Sequence, residues 1–231
     1  MFINAQSFRT AYGLSDLVDN YNIDILCINE KFESQHACIK FRDWEAFKSA
    51  RPNQSRGGAA IFVKPNVNYI TKRIPNLELK NIEMVCINMT DKQNKSINIW
   101  CPYVPPDKDD LMANLCDHIN KNKQNNMILL GDLNAKIYEW NNRKTNKHGK
   151  LLEVSLANNN LICVNDGQAT RRQYQSVIDL VIVSQYYYQN VLDCTTLNHE
   201  RVQSDHIAVY TQVDFATSQE EEIENESRWN I

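Results

Sequence analysis

Five residues of acid–base or metal-binding type recur in one setting along this chain, each beside an apolar run. In "NMILLGDLN", four apolar residues lead to Gly131 and then to Asp132 and Asn134, two positions apart. In "DILCINE" a similar run ends on Glu30; in "SVIDLVIV" Asp179 is enclosed by Val177, Ile178, Leu180 and Val181; in "QSDHIAV" Asp205 and His206 precede a further run. Alternate residues of a strand share a face, so Asp132 and Asn134 at a strand end can point into one cleft beyond the sheet edge. Any one of these acids could be a turn former or a cap, and a lone GDxN is as readily a turn whose Asp and Asn bond the backbone. Asp179 fits that description least. An ionised acid among branched apolar side chains needs a partner, and a histidine is the simplest one.

The elements that must carry these residues are short and β-branched. Strands are expected at "MFINAQ", 24–29, 59–63, 82–89, 96–100, 127–131, 176–183 and 204–213. Leu14, Leu17, Val18 and Tyr21 fall at helical spacing, as do Leu111, Leu115 and Ile119 behind the acidic turn of Asp107, Asp109 and Asp110, and a third helix is expected over 150–160. Many strands with few helices predict two packed sheets flanked by helices.

With 231 residues and 42% hydrophobic content, the chain is long enough for one large domain. Residues 1–215 are read as that domain and 216–231 as an acidic tail. Five glutamates in the tail (Glu220, Glu221, Glu222, Glu224, Glu226) account for the net charge of -3, leaving 24 basic and 23 acidic residues in the body. A neutral body neither requires nor excludes a polyanionic partner. No apolar run approaches the ~20 residues of a membrane span, and no signal-type segment follows Met1, so neither membrane nor secretion is expected. Seven cysteines without CxxC spacing are read as small core residues of a reducing compartment, with no zinc or disulfide role, and His36, His118, His148 and His199 lack metal-ligand spacing.

Taken in order, the motifs resemble those of the endonuclease/exonuclease/phosphatase superfamily: Asn4 in "INAQS", Glu30 after the second strand, Tyr103 in "NIWCPYVPP", Asp132 and Asn134 in GDxN, Ser176 and Asp179 in Ser-x-Ile-Asp, and Ser204, Asp205 and His206 in Ser-Asp-His. "NIWCPYVPP" offers Trp100 or Tyr103 at the tyrosine motif; Tyr103 is preferred because it supplies a hydroxyl. Within the superfamily the chain looks most like the endonuclease domain of non-LTR, jockey-like retrotransposons, on "RGGAAIFV", "GDLNAKIYEW", "TNKHGKLL", "ATRRQYQSVIDLVIVS" and the final "ESRWNI". The tail then resembles the start of a linker towards a reverse transcriptase.

The resemblance implies a DNase I-like α+β fold, a four-layer α/β/β/α sandwich of two mostly antiparallel sheets flanked by helices, and a Mg²⁺-dependent (or Mn²⁺-dependent) endonuclease. It implies nicking of one strand of duplex DNA in the nucleus to leave a 3′-hydroxyl primer, by a domain that is monomeric and fused to a reverse transcriptase. Glu30, Asp205 and Asn4 would hold the metal, since hard cations take oxygen ligands. His206 oriented by Asp179, together with Asn134 and Tyr103, would stabilise the phosphoryl oxygens, and Asp132 would orient or deprotonate the water. The resemblance assigns Thr170, Arg171, Arg172 and Ser176 to the substrate, although their types alone fit strand-end packing and solvated charge. "NDGQATRRQYQS" would be a basic hairpin set against the minor groove, and "RKTNKHGK" a phosphate-tracking rim. An apurinic-site repair endonuclease, a lipid or inositol phosphatase, and an inactive nucleic-acid-binding copy are the competing readings.

Overall fold

A computed structural model describes residues 1–5, 11–29, 41–49, 58–65, 69–79, 81–92, 94–122 and 126–215. Period-2 alternation organises it. In β8 (Met127–Asp132), Leu129 faces one side while Ile128 and Leu130 face the other; in β10 (Asp179–Ser184), Leu180 and Ile182 oppose Val181 and Val183. Strands that are apolar on both faces must be covered on both, and three hydrophobic layers result. The middle layer joins Val181, Val183, Ile128 and Leu130 to Phe2 of β1 (Phe2–Asn4), Cys27 of β2 (Ile25–Asn29) and Ile61 of β4 (Ala59–Val63). One outer layer packs Leu129, Leu180 and Trp100 against α2 (Asp109–Lys121) and α3 (Lys147–Asn158). The other packs Ile3, Leu26 and Phe62 against Leu14, Leu17 and Val18 of α1 (Ala11–Asn20). This is the expected four-layer α/β/β/α sandwich.

The remaining elements are β3 (Glu45–Lys48), β5 (Tyr69–Arg73), β6 (Glu83–Asp91), β7 (Ser96–Tyr103), β9 (Leu161–Cys163), the short α4 (Gln185–Tyr188), β11 (Val191–Leu197) and β12 (Ala208–Val213). One sheet runs β11-β12-β1-β2-β4-β3 and the other β5-β6-β7-β8-β10-β9. Only β1–β2 and β7–β8 pair in parallel among the described strands. Two expectations shift. Strand β10 begins at Asp179 instead of Ser176, and Tyr21 lies past the end of α1, 44% exposed. The tail from residue 216 and the "RGG" of 56–58, apart from Gly58, lie outside the described residues. Among the described residues no helix is long and apolar enough to cross a membrane.

One edge of the middle layer turns polar. The stripe Ile97, Ile99, Cys101 ends at Tyr103; Ile128, Leu130 ends at Asp132; Phe2 is followed two positions on by Asn4, Cys27 by Asn29, and Val183, Val181 lead back to Asp179. The parity that packs the core therefore also aims these side chains into the gap between the sheets.

Candidate active site

Register places the two central acids together. Strands β8 and β10 pair antiparallel with Asp179 directly opposite Asp132. Like charges in that position repel, and both residues are almost fully buried, at 2% exposed for Asp132 and 0% for Asp179. His206 resolves the conflict. Its Nδ1 lies 2.9 and 2.8 Å from the two Asp179 oxygens, and its Nε2 lies 3.9 Å from Asp132 Oδ2 and 3.6 Å from Asp205 Oδ1. Burial works against a charged imidazole here, but the Asp179 carboxylate, followed by Asp132 and Asp205, outweighs it and raises His206 to about 9. Burial, then the neighbouring Asp179, pushes the Asp132 carboxyl well above the usual carboxylate range. The trio is thus a buried proton-holding group with a cationic imidazole at its centre.

Each member is fixed by its local chain. Gly131 is required because a Cβ there would stand 2.1 Å from the carbonyl oxygen of Pro102 in the neighbouring β7. Asp132 receives hydrogen bonds from Asn4 Nδ2 at 2.9 Å and from the Asn134 N–H at 3.1 Å, while its own N–H donates to Asn29 Oδ1 at 3.0 Å. Asn134 adopts a left-handed φ of 47°, which asparagine tolerates, and its Nδ2 donates to Val104 O at 3.0 Å. His206 is held through Ser204, whose hydroxyl accepts its N–H at 3.0 Å and donates to Asn4 O at 2.7 Å. Tyr103 ends β7 on the same stripe, whereas Trp100 is fully buried against His118.

Several sequence expectations need correction. Thr170 is fully buried under the site, and its Oγ1 accepts the N–H groups of Ile178 and Asp179 at 3.1 and 3.0 Å, so it shapes the strand entry and is not open to substrate. Arg171 is not a free basic group: its Nε and a terminal nitrogen each lie 3.0 Å from Asp205 Oδ2, and its guanidinium stacks over Tyr174 at 5.0 Å. The segment around it does connect β9 to β10, but it folds back, with Arg171 bridged to Ser176 and to His206. The Arg172 N–H donates to Asp205 O at 2.8 Å. Ser176 Oγ is buried without a hydrogen-bond partner among the described residues. In "RKTNKHGK" Arg143, Lys144, Lys147 and Lys150 are exposed, Lys147 pairs with Asp109 at 2.7 Å, and His148 is buried in the first turn of α3. Glu30 lies outside the described residues.

Lys136 was missed. Burial first, then Arg171 and Lys144, lower its pKa, while Asp132 raises it, so it belongs to the rim of the site. Two residues past Asn134, it had only its position as a signal.

The oxygens fit a hard cation. Asp205 Oδ1 is buried with no hydrogen-bond partner among the described residues and faces His206, with Asp132 and Asn4 nearby. Asp132, Asp179 and His206 also place ligand-type atoms within 4.8 Å of one another. Hard divalent cations prefer oxygen to imidazole nitrogen, so the oxygen group fits such a cation better.

Comparison with known proteins agrees with this geometry. The profile of a family described as endonuclease-reverse transcriptase matches residues 97–210. The RNA-directed DNA polymerase from mobile element jockey of Drosophila funebris is 24% identical over 192 residues, 80% of this chain; the chain spans about a fifth (20%) of that relative's length. The endonuclease domain of TRAS1, a telomere-specific non-LTR retrotransposon, superposes with a TM-score of 0.78 at 20% identity, covering 94% of this chain and 98% of that one. An AP endonuclease from Leishmania major superposes with a TM-score of 0.72 at 11% identity, covering 92% and 86%. The chain therefore shares the DNase I-like fold of these endonucleases, and its residues 97–210 match the sequence profile described as endonuclease-reverse transcriptase.

Proposed function

We propose that the chain is a divalent-metal-dependent endonuclease that hydrolyses a phosphodiester of duplex DNA and leaves a 3′-hydroxyl able to prime reverse transcription. The observation that carries this reading is the buried Asp179–His206 pair beside Asp132. A cationic N–H donor is held next to a carboxyl that can accept a proton near neutral pH. Water aligned by Asp132 passes its proton to the Asp132 carboxylate as its oxygen bonds to phosphorus and the bond to the leaving 3′ oxygen breaks, and that oxygen takes a proton from solvent to become the 3′-hydroxyl. His206 Nε2–H donates to a phosphoryl oxygen as negative charge accumulates there, with Asn134 and Tyr103 donating alongside. A Mg²⁺ or Mn²⁺ ion on Asp205, Asn4 and Glu30 would supply Lewis-acid charge to the phosphoryl group. Asp179 holds His206 in place. Arg172 and Lys136 line the DNA side, and in a longer chain a reverse transcriptase would receive the primer.

The test is nicking of supercoiled plasmid with Mg²⁺ and with EDTA, followed by polymerase extension of the nick. Metal-dependent, extendable nicks support the reading. Nicks that a polymerase cannot extend, or no cleavage by folded protein, refute it. The likeness to two AP endonucleases supports a second substrate, duplex carrying an abasic site. Cleavage of that substrate alone, with intact duplex untouched, would select it.

A further inference from the structure

Asparagine amides splint the backbone around the site. Asn29 Oδ1 accepts the Asp132 N–H. Asn142 pairs with both main-chain groups of Val177 at 3.0 Å each, as a neighbouring strand would. Asn165 donates to Asp179 O at 3.0 Å and accepts from the Val181 N–H at 2.9 Å. Asn146 is the most heavily used. Its Oδ1 accepts the N–H groups of Gly149 and Lys136, and its Nδ2 donates to Asn134 O, all at 2.8 Å, while its own N–H donates to Lys136 O at 3.0 Å.

Capping α3 needs only the bond from Gly149. The other bonds tie the helix start to residues 134–136. The approach is close: a Cβ on Gly149 would stand 2.0 Å from Lys136 O. Asn134 itself sits in a left-handed conformation that its neighbours must impose. Its N–H is held by Asp132, and its carbonyl by Asn146. Remove the second hold and the residue can relax, which draws its amide away from its place beside Val104 O.

We propose that Asn146 is a positioning residue for the phosphodiesterase reaction, fixing the main chain of Asn134 so that its side-chain amide meets the phosphoryl group. This rests on the proposed role of Asn134. Asn146→Asp separates the two jobs: an aspartate caps as well as asparagine and still accepts from Gly149 and Lys136, but it cannot donate to Asn134 O. Asn146→Ser also caps and loses both clamps.

The expected result is a melting temperature close to wild type in both variants, KM for plasmid unchanged, and kcat lowered about tenfold or more. Asn134→Ala combined with Asn146→Asp should be no slower than Asn134→Ala alone, because Asn146 acts through Asn134. Wild-type kcat in folded Asn146→Asp and Asn146→Ser, with Asn134→Ala inactive, overturns this inference and leaves the proposed function standing. A double variant slowed by the product of the single effects also overturns it. Should one variant fail to fold, the other decides. An Asn134→Ala variant that nicks at the wild-type rate removes the premise, and both fail.

Discussion

Asp179→Asn tests the electrostatic core of the site, because it removes one charge and almost no volume. Both oxygens of Asp179 sit within 2.9 Å of His206 Nδ1, and the imidazole is 2% exposed. The rise of His206 from 6.5 to about 9 corresponds to roughly 3.5 kcal/mol, at about 1.4 kcal/mol per pH unit. Burial alone lowers it, so Asp179, with smaller help from Asp132 and Asp205, must supply more than that. With an amide at position 179 the imidazole should titrate at or below its ordinary value. The folded value in wild type lies above the unfolded one, so the pair's contribution to folding is fully present below about pH 6.5 and is lost as pH climbs to about 9. Imidazole nitrogen shifts followed by NMR from pH 5 to 10, in EDTA, measure this directly, with thermal melts over the same range. Wild type should lose stability between pH 6.5 and 9; Asp179→Asn should show no such His206 step, and its nicking at pH 7.5 should fall about 100-fold or more. A variant whose imidazole still titrates near 9 would show that Asp179 does not hold the proton in place.

Other perturbations follow from single contacts. His206→Ala strands two facing buried carboxylates and should cost about 3–5 kcal/mol, with Asp179→Asn in the same background recovering part of it; a double variant melting below the single one would contradict the account. Thr170→Val should lose about 1–3 kcal/mol because two buried N–H groups lose their acceptor, while Thr170→Ser should retain most stability in denaturant melts. Gly131→Ala drives a methyl into the Pro102 carbonyl and should lower stability by about 1–3 kcal/mol or more, an effect absent if β7 and β8 can separate freely. Arg171→Ala should disturb Mn²⁺ affinity, measured by calorimetry, more than DNA affinity without metal, because Arg171 is occupied by Asp205; the reverse pattern would restore it as a phosphate contact.

What the sequence made legible depended on burial. Eight runs were readable as strands because both neighbours and both faces demanded apolar residues. The four strands that escaped notice, Glu45–Lys48, Tyr69–Arg73, Leu161–Cys163 and Val191–Leu197, are the four edges of the two sheets. An edge strand has one neighbour and an open side, so "EAFK" and "YITKR" keep polar residues that mask their period. The acids of the site were visible because each interrupts an apolar pattern at a strand end. Asn142, Asn146 and Asn165 were not, since an asparagine outside a strand has the look of a turn former until its backbone partner is known. Arg171 was expected at the DNA on the family resemblance alone, and its pairing with Asp205 was hidden because it joins residues 34 apart.

Strand β1 lies between β2 and β12, with Phe2 paired to Val209, and Ser204 reaches Asn4 across 200 residues of chain. On a ribosome, the first strand to emerge must therefore wait for the last before its sheet can close. His206 arrives only with that last strand. Such distant pairing is slow to form, since its loop entropy is lost before any contact rewards it. A nascent or prematurely ended chain would hold its acids without the imidazole that quiets them, and synthesis itself would act as the timer that withholds the proposed cutting activity until the domain has been made.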